Sequence, residues 1–339
     1  MCISQYCKDI PKAELHIHIE GTLEPELMFE LAKKNNIDLP YNTIEDVKKA
    51  YSFTNLQDFL DIYYQGSSVL IDESDFYQLM MAYLEKANSD TIKRAEIFFD
   101  PQTHTDRGVA FETVVKGFDR AIKEMQAKTG ISCDLIMCFL RHLGGKEALK
   151  TMQNALPYKQ YFFAVGMDSS ELGFLPELFV DAYDLARENN LHLVAHAGEE
   201  GGPCYIEQAL DLLHIERIDH GVRIVEDEAL LQRVIDKRTP LTMCPLSNLK
   251  LCIVDDLKDH PIKKLLDMGC CVTVNSDDPS YFGGYLTENY IQIAQALNLS
   301  KDDIYQLAKN SFEASFISDE EKNRYYNMLE SFNTAFCKA

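Results

Sequence analysis

Eight short runs rich in β-branched and aromatic residues, spread along a 339-residue chain and separated by helix-patterned segments, leave few folds open. They occupy residues 13–20 (AELHIHIE), 95–101 (AEIFFDP), 133–141, 161–168, 191–199, 217–222, 239–248 and 270–278. Between most of them lie amphipathic stretches such as ELFVDAYDLARENN and DEALLQRVIDKR, whose apolar residues recur with helical spacing. Strands that alternate with helices imply a parallel sheet, since each helix carries the chain back to start the next strand in the same direction. Eight such units point to an α/β fold closed as a TIM (β/α)8 barrel, and the glycine fingerprint of many open dinucleotide-binding sheets is absent.

The rhythm breaks once. Residues 21–94 hold several helical segments, among them LEPELMFELAKKNN and SDFYQLMMAYLEKAN, which read as a helical insertion capping the region near the first strand. After the last strand, TENYIQIAQALNL, KDDIYQLAKNSF and SDEEKNRYYNMLESF read as C-terminal closing helices. No Pro-, Gly- or Ser-rich linker intervenes, so residues 1–339 are expected to form a single domain. A net charge of −21 opposes nucleic acid and anionic membrane surfaces as partners and is compatible with a small neutral substrate. Self-association as a homo-oligomer stays open. Ten cysteines lack any CxxC pair, and Cys133, Cys138, Cys244, Cys270 and Cys271 lie in apolar runs, as reduced buried thiols do. The amino terminus has no hydrophobic region and no apolar run reaches about 18 residues, so the expected location is the cytoplasm, with nuclear access left open.

The first run raises the chemical question. Leu15, Ile17 and Ile19 point one way from a strand, while His16, His18 and Glu20 point the other. In a barrel all strands end on one face, where residues remote in sequence meet. The fifth run ends in HAGEE with His196 and Glu199, the sixth carries DHG with Asp219 and His220, and the eighth ends in NSDDP with Asp277 and Asp278. Imidazole and carboxylate suit zinc, and a catalytic zinc keeps one position open for water. His16, His18, His196 and Asp277 are therefore expected to hold one Zn2+ per chain, with Glu199, His220 and Asp278 facing the water or substrate. Each taken singly has a plainer reading: an incidental HxH, a core histidine, a turn anchor, a solvated DD cap. Their joint placement at strand ends favours the site. His104, His142, His192, His214 and His260 lack it and are expected to be structural or on the surface, although His104 follows the second strand.

Other signatures fail. LGGKEAL lacks the upstream glycine of a phosphate loop, HExxH and GxSxG are missing, and TMCPLSN has no cysteine pair of the HxE and PCxxC deaminase kind. Taken together, ELHIHIEGT, HAGEE, RIDHGV, CPLSN and NSDDP resemble, in this order, the adenosine and adenine deaminase family from residue 11 to about residue 290. The resemblance implies a zinc-bearing barrel that hydrolyses the exocyclic amino group from a purine. By position it implies that Glu199 exchanges a proton at N1, that His220 orients or deprotonates the attacking water, and that Asp278 contacts the purine around N7. FFDPQTHTDRG, DSSELGF and NSDDPSYFGGY look most like the members that convert adenine to hypoxanthine and ammonia, a purine salvage reaction. Glu20 stands where adenosine enzymes usually have an aspartate for ribose, and MDSSELG is shorter than their DLAGDE segment. Glu20 is thus expected to exclude the sugar or contact the base edge, with Ser169, Ser170 and Glu171 shaping the same wall. The alternatives are an adenosine deaminase or a deaminase of another 6-aminopurine and, outside enzymology, a silent barrel that binds purine or metal. A binuclear amidohydrolase is disfavoured because AVGMDSSE offers no lysine at the end of the fourth strand.

Overall fold

The computed structural model describes residues 2–53 and 55–338. Its strands are β1 (Lys12–Glu14), β2 (Ile92–Phe99), β3 (Ser132–Leu140), β4 (Ala164–Asp168), β5 (His192–Ala197), β6 (Arg217–His220), β7 (Leu241–Met243) and β8 (Val272–Val274). They form one eight-stranded sheet in chain order, and every neighbouring pair is parallel. The expected first strand is split. Only three residues are regular strand, and the chain beyond them closes the ring by bridging both ends of the sheet. Phe98 N donates to Ile17 O (2.8 Å) and Ile19 N to Phe98 O (2.9 Å), while His18 N donates to Asp277 O (3.0 Å) and Asp277 N to His16 O (3.1 Å). Segment 16–19 is thereby pinned between β2 and the end of β8, with its alternate side chains inside and outside the barrel.

The interior is layered. Glu96 lies buried with Arg94 and Arg217: Arg94 Nη2 donates to Glu96 Oε1 (3.0 Å), Arg217 Nη1 donates to Glu96 Oε2, and the Arg217 guanidinium lies 4.7 Å from the Phe316 ring. Phe98, Ile136, Cys138, Ala164 and Val194 form a small apolar core, with the Phe98 ring against His16, His18 and His196. The histidines complete the sequence of layers toward the carboxyl ends of the strands.

Residues 21–94 do not act as one cap. The helix Glu73–Ser89, started by an Asp72/Asp75 capping box, packs on β2 and on the helix Phe111–Thr129, as an outer-ring helix of the barrel does. The helices Ile44–Ala50 and Leu56–Ser67 instead build a second apolar cluster with Leu251, Tyr281 and Phe282 from the segments after β7 and β8. Helices Leu286–Ala296, Lys301–Glu313 and Asp319–Lys338 close the chain. Cys133, Cys138, Cys244, Cys270 and Cys271 are buried free thiols. Among the described residues no helix is long and apolar enough to cross a membrane.

Candidate active site

His16 and His18 sit on the bridged segment, His196 near the end of β5 and Asp277 just past β8; one ligand atom from each lies within 4.8 Å of the others. Asp277 Oδ1 is 3.2 Å from His16 Nε2 and 3.4 Å from His18 Nε2, and the Nε2 atoms of His18 and His196 face each other at 3.2 Å. The outer ring nitrogens all face oxygen atoms, and that of His16 is hydrogen-bonded. His16 Nδ1 is 2.9 Å from Thr242 Oγ1, whose hydroxyl donates to Asp219 Oδ1 (2.8 Å). His196 Nδ1 is 3.9 Å from Asp219 Oδ2, and His18 Nδ1 is 3.4 Å from Asp168 Oδ2. The Nε2 atoms converge on one point, and His16 Nε2, its Nδ1 hydrogen-bonded to Thr242, has no hydrogen-bond partner. Burial favours the neutral, ligating imidazole, pushing His18 down to about 4 and His196 well below the usual histidine range. Converging lone pairs beside a carboxylate repel one another unless a cation lies among them, so this donor set fits a divalent ion. Two further sets reach the same spacing: His16, His220, Cys244 and Asp277, and His18, Asp100 and Asp168. Burial keeps the Cys244 thiol protonated, which counts against it as a ligand.

Around this cluster stand Glu199, His220 and Asp278, all at most 4% exposed. His220 Nε2 is 3.6 Å from Glu199 Oε2 and 3.7 Å from Asp277 Oδ2. Burial, reinforced by Asp277, holds the carboxyls of Glu199 and Asp278 well above the usual carboxylate range, so both favour the protonated form. His220, Asp277 and Ser169 have φ of 63°, 64° and 72°, left-handed conformations rare outside glycine and costing roughly 1–3 kcal/mol each. Each lies at a strand end, where the chain turns sharply while its side chain is kept at the cleft.

The neighbours that hold these groups were largely silent in the sequence. Glu171 accepts the backbone N–H bonds of Gly198, Glu199, Glu200 and Gly201 at 2.7–3.1 Å and so shapes the loop carrying Glu199. Arg141 Nη1 donates to His196 O (2.9 Å). A third support fixes the tautomer of His220. The backbone N–H of Ile262 donates to His260 Nδ1 (3.2 Å), so a neutral His260 carries its proton on Nε2, facing Asn248 Oδ1 (3.2 Å). That orients Asn248 Nδ2 as donor to His220 Nδ1 (3.4 Å) and leaves the proton of neutral His220 on Nε2, facing the cleft. Gly21 gives Asp278 its room: a Cβ there would lie 1.9 Å from Asp278 Oδ1.

The cleft, about 390 Å³, is lined by His18, His196, Glu199, His220, Asp277 and Asp278. Leu56, Phe59, Leu60, Tyr63 and Tyr64 from the helix Leu56–Ser67, with Leu251 and Phe282, supply apolar and aromatic wall. Ser169 lines it as expected, its Oγ meeting Tyr64 Oη (3.0 Å) and His142 Nδ1 (2.7 Å). Glu20 and Ser170 do not. Glu20 is fully buried behind the wall, where its Oε1 accepts from His104 Nε2 (2.8 Å) and the N–H of Asp100 (3.2 Å), because the chain enters a tight turn at Glu20–Thr22. Ser170 donates instead to Gln57 at the exposed rim (3.2 Å). Glu171 serves its loop rather than the wall. His214 is exposed, His142 and His192 are half-buried, and His104 and His260 are buried and hydrogen-bonded. Asp100 and Asp168, absent from the expected set, line the cleft; each ends a β run, FFD and GMD, as Asp277 does, and that shared position was the available signal.

A barrel with a metal-fitting His3Asp cluster and neutral acids at its strand ends belongs among the metal-assisted hydrolases. The family model for adenosine deaminase matches residues 11–331. An adenine deaminase from Acinetobacter baylyi is 58% identical over 330 residues, covering 97% of this chain and 98% of that protein. The crystal structure of an adenine deaminase from Arthrobacter aurescens superposes with a TM-score of 0.94 at 46% identity, covering 97% of this chain and all of that one. An amidohydrolase from Burkholderia ambifaria, solved with bound Zn, shares the fold at a TM-score of 0.90 and 22% identity over 99% of this chain and 95% of that one. The chain belongs to the adenosine deaminase family and is a hydrolase acting on a C–N bond of a cyclic amidine.

Proposed function

We propose that this protein hydrolyses adenine to hypoxanthine and ammonia, using one Zn2+ held by His16, His18, His196 and Asp277, as a cytoplasmic enzyme of purine salvage. The observation that carries this reading is the convergence of four ligands with the protonated acids Glu199 and Asp278 on one buried cleft. The relatives named adenine deaminase, 58% and 46% identical to this chain, support adenine as substrate, and the zinc-bearing Burkholderia structure supports the metal. Free, largely buried thiols accord with a reducing compartment.

When bound, zinc lowers the pKa of a water molecule from 15.7 to about 7 and so makes hydroxide available at neutral pH. Glu199, neutral in its buried position, hands a proton to N1 and draws electron density from C6. Asp278, also neutral, donates to N7 and fixes the ring against that acid. His220 presents Nε2–H to the oxygen arriving at C6; its tautomer favours orienting that oxygen and stabilising its charge over removing its proton.

Ammonia release from adenine, adenosine and related 6-aminopurines, measured before and after chelation, tests the reading. Adenine is expected to be the best substrate, with activity lost on chelation and restored by zinc. Preference for adenosine, or a metal-loaded protein that turns over no aminopurine, overturns it. Glu199→Gln should keep the metal and lose about 10²- to 10⁴-fold in kcat, whereas His16→Ala should lose the metal.

A further inference from the structure

Four successive backbone amides in the loop that carries Glu199 point at one side chain. Gly198 N donates to Glu171 Oε1 (2.8 Å), and the amides of Glu199, Glu200 and Gly201 donate to its Oε2 (3.1, 2.8 and 2.7 Å). Consecutive N–H groups turned to one point form a nest, a backbone shape that wraps an anion. Gly198, at φ 73°, supplies the left-handed turn of such a nest. Here the chain fills the nest itself, with a buried side chain three residues past the end of β4.

Resting on the adenine reading, we infer that Glu171 is the positioning residue for the proton donor Glu199, acting through the amides of residues 198–201 and independently of the metal ligands. The carbonyl side of this loop is bonded to the turn after β6. Gly221 N donates to Ala197 O (3.1 Å), Arg223 N to Gly198 O (2.9 Å), and Arg223 Nη1 to Glu200 O. That turn follows His220, whose Nε2 lies 3.6 Å from Glu199 Oε2. The loop is therefore held between two supports: the His220 turn takes its carbonyls and Glu171 takes its amides. Without the Glu171 carboxyl group the four amides lose their acceptor, and the loop gains by shifting to reach water or another partner.

The ligand His196 is held separately. It lies within β5, and its carbonyl accepts from Arg141 Nη1 (2.9 Å), whereas the bonds to Glu171 begin two residues later. Loosening residues 198–201 displaces the donor and leaves the metal cluster in place. A reading of the sequence places Glu171 in a wall against ribose; fixed to this loop, it governs the rate with every aminopurine and not the choice between base and nucleoside.

The test measures metal content and adenine kinetics in Glu171→Ala, Glu171→Gln, Glu199→Gln and the double variant Glu171→Ala/Glu199→Gln. Glu171→Ala is expected to keep its metal, to lower kcat about 100-fold and to change KM by less than about threefold. Once Glu199 can no longer give a proton, its placement matters little, so adding Glu171→Ala to Glu199→Gln should cost less than about fivefold more. Glu171→Gln keeps one accepting oxygen and the shape of the side chain; it should lose about 10-fold in kcat, and it replaces the alanine variant in the same comparison if that variant does not fold. Wild-type kcat in both Glu171 variants, loss of the metal with the activity, or a double variant that suffers both losses in full overturns the inference and leaves the proposed function standing. No turnover of adenine by the metal-loaded wild type defeats the proposed function itself.

Discussion

His220 takes its proton position from a backbone amide 42 residues further along the chain, through His260 and Asn248. Ile262 N–H can only donate, and each partner in the relay is left with one role. Removing the amide should therefore impair turnover without touching the metal. Asn248→Ala is expected to lower kcat about 10- to 100-fold while metal content stays at the wild-type level, as losses of supporting hydrogen bonds near metal sites do. Asn248→Asp reverses the polarity of the last bond, since a carboxylate accepts from Nδ1–H, and should alter the pH profile of kcat. Wild-type kcat in the alanine variant would remove Asn248 from the relay. His220 could be picked out from DHG at the end of a β run. Asn248, in the quoted CPLSN, had no assigned role, and His260 read as a structural histidine, because a relay depends on side-chain rotamers that no local pattern encodes.

Where each strand stops, the backbone does work that residue type alone does not announce. β1, β7 and β8 are three residues each, and the side chains that matter follow them. Asp277 and His220 occupy left-handed turns, and the tight turn at Glu20–Thr22 brings Gly21 against Asp278. Gly21→Ala places a methyl group where Asp278 Oδ1 now lies, so carboxyl or turn must move. A displacement of about 1 Å at a positioning group lowers turnover about 100-fold, which sets the expected loss in kcat/KM; steady-state kinetics at the wild-type level would show that Asp278 needs no such placement. The residues 21–94 offer a second lesson. Their helical periodicity was plain, but periodicity does not say against what a helix packs. Glu73–Ser89 joined the barrel, and Leu56–Ser67 became a wall of the cleft.

Across the whole molecule, burial governs the response to alkali. Burial pushes the thiols of Cys133 and Cys271 up to about 12 from an unfolded value of 9.0. Both are neutral in either state below pH 9; above it the unfolded chain releases protons that the folded chain keeps, so stability is lost as pH rises toward 12. Each such group contributes a slope of about 1.4 kcal/mol per pH unit in that window. Lys12, pushed down to about 8 by burial, opposes the trend between pH 8 and 10.5, but it is one group against several thiols and phenols. Urea midpoints under reducing conditions at pH 8.5, 9.5 and 10.5 should fall progressively, and less steeply in Cys133→Ala; a flat series would contradict the buried, protonated thiols.

The barrel and its inward histidines could be read from periodicity, because a two-residue repeat decides which side chains share a face and eight parallel strands must end together. That is why the sequence alone groups His16, His18, His196 and Asp277, one ligand atom from each of which lies within 4.8 Å of the others. Partnerships between distant side chains were decided only by the packed chain. Glu20 turned to His104, 84 residues away, instead of the cleft, and Asp100 and Asp168 line it in its place. Such choices follow from which donors and acceptors remain once the ring has closed, a balance of non-local hydrogen bonds and burial that exists only after the strands have met.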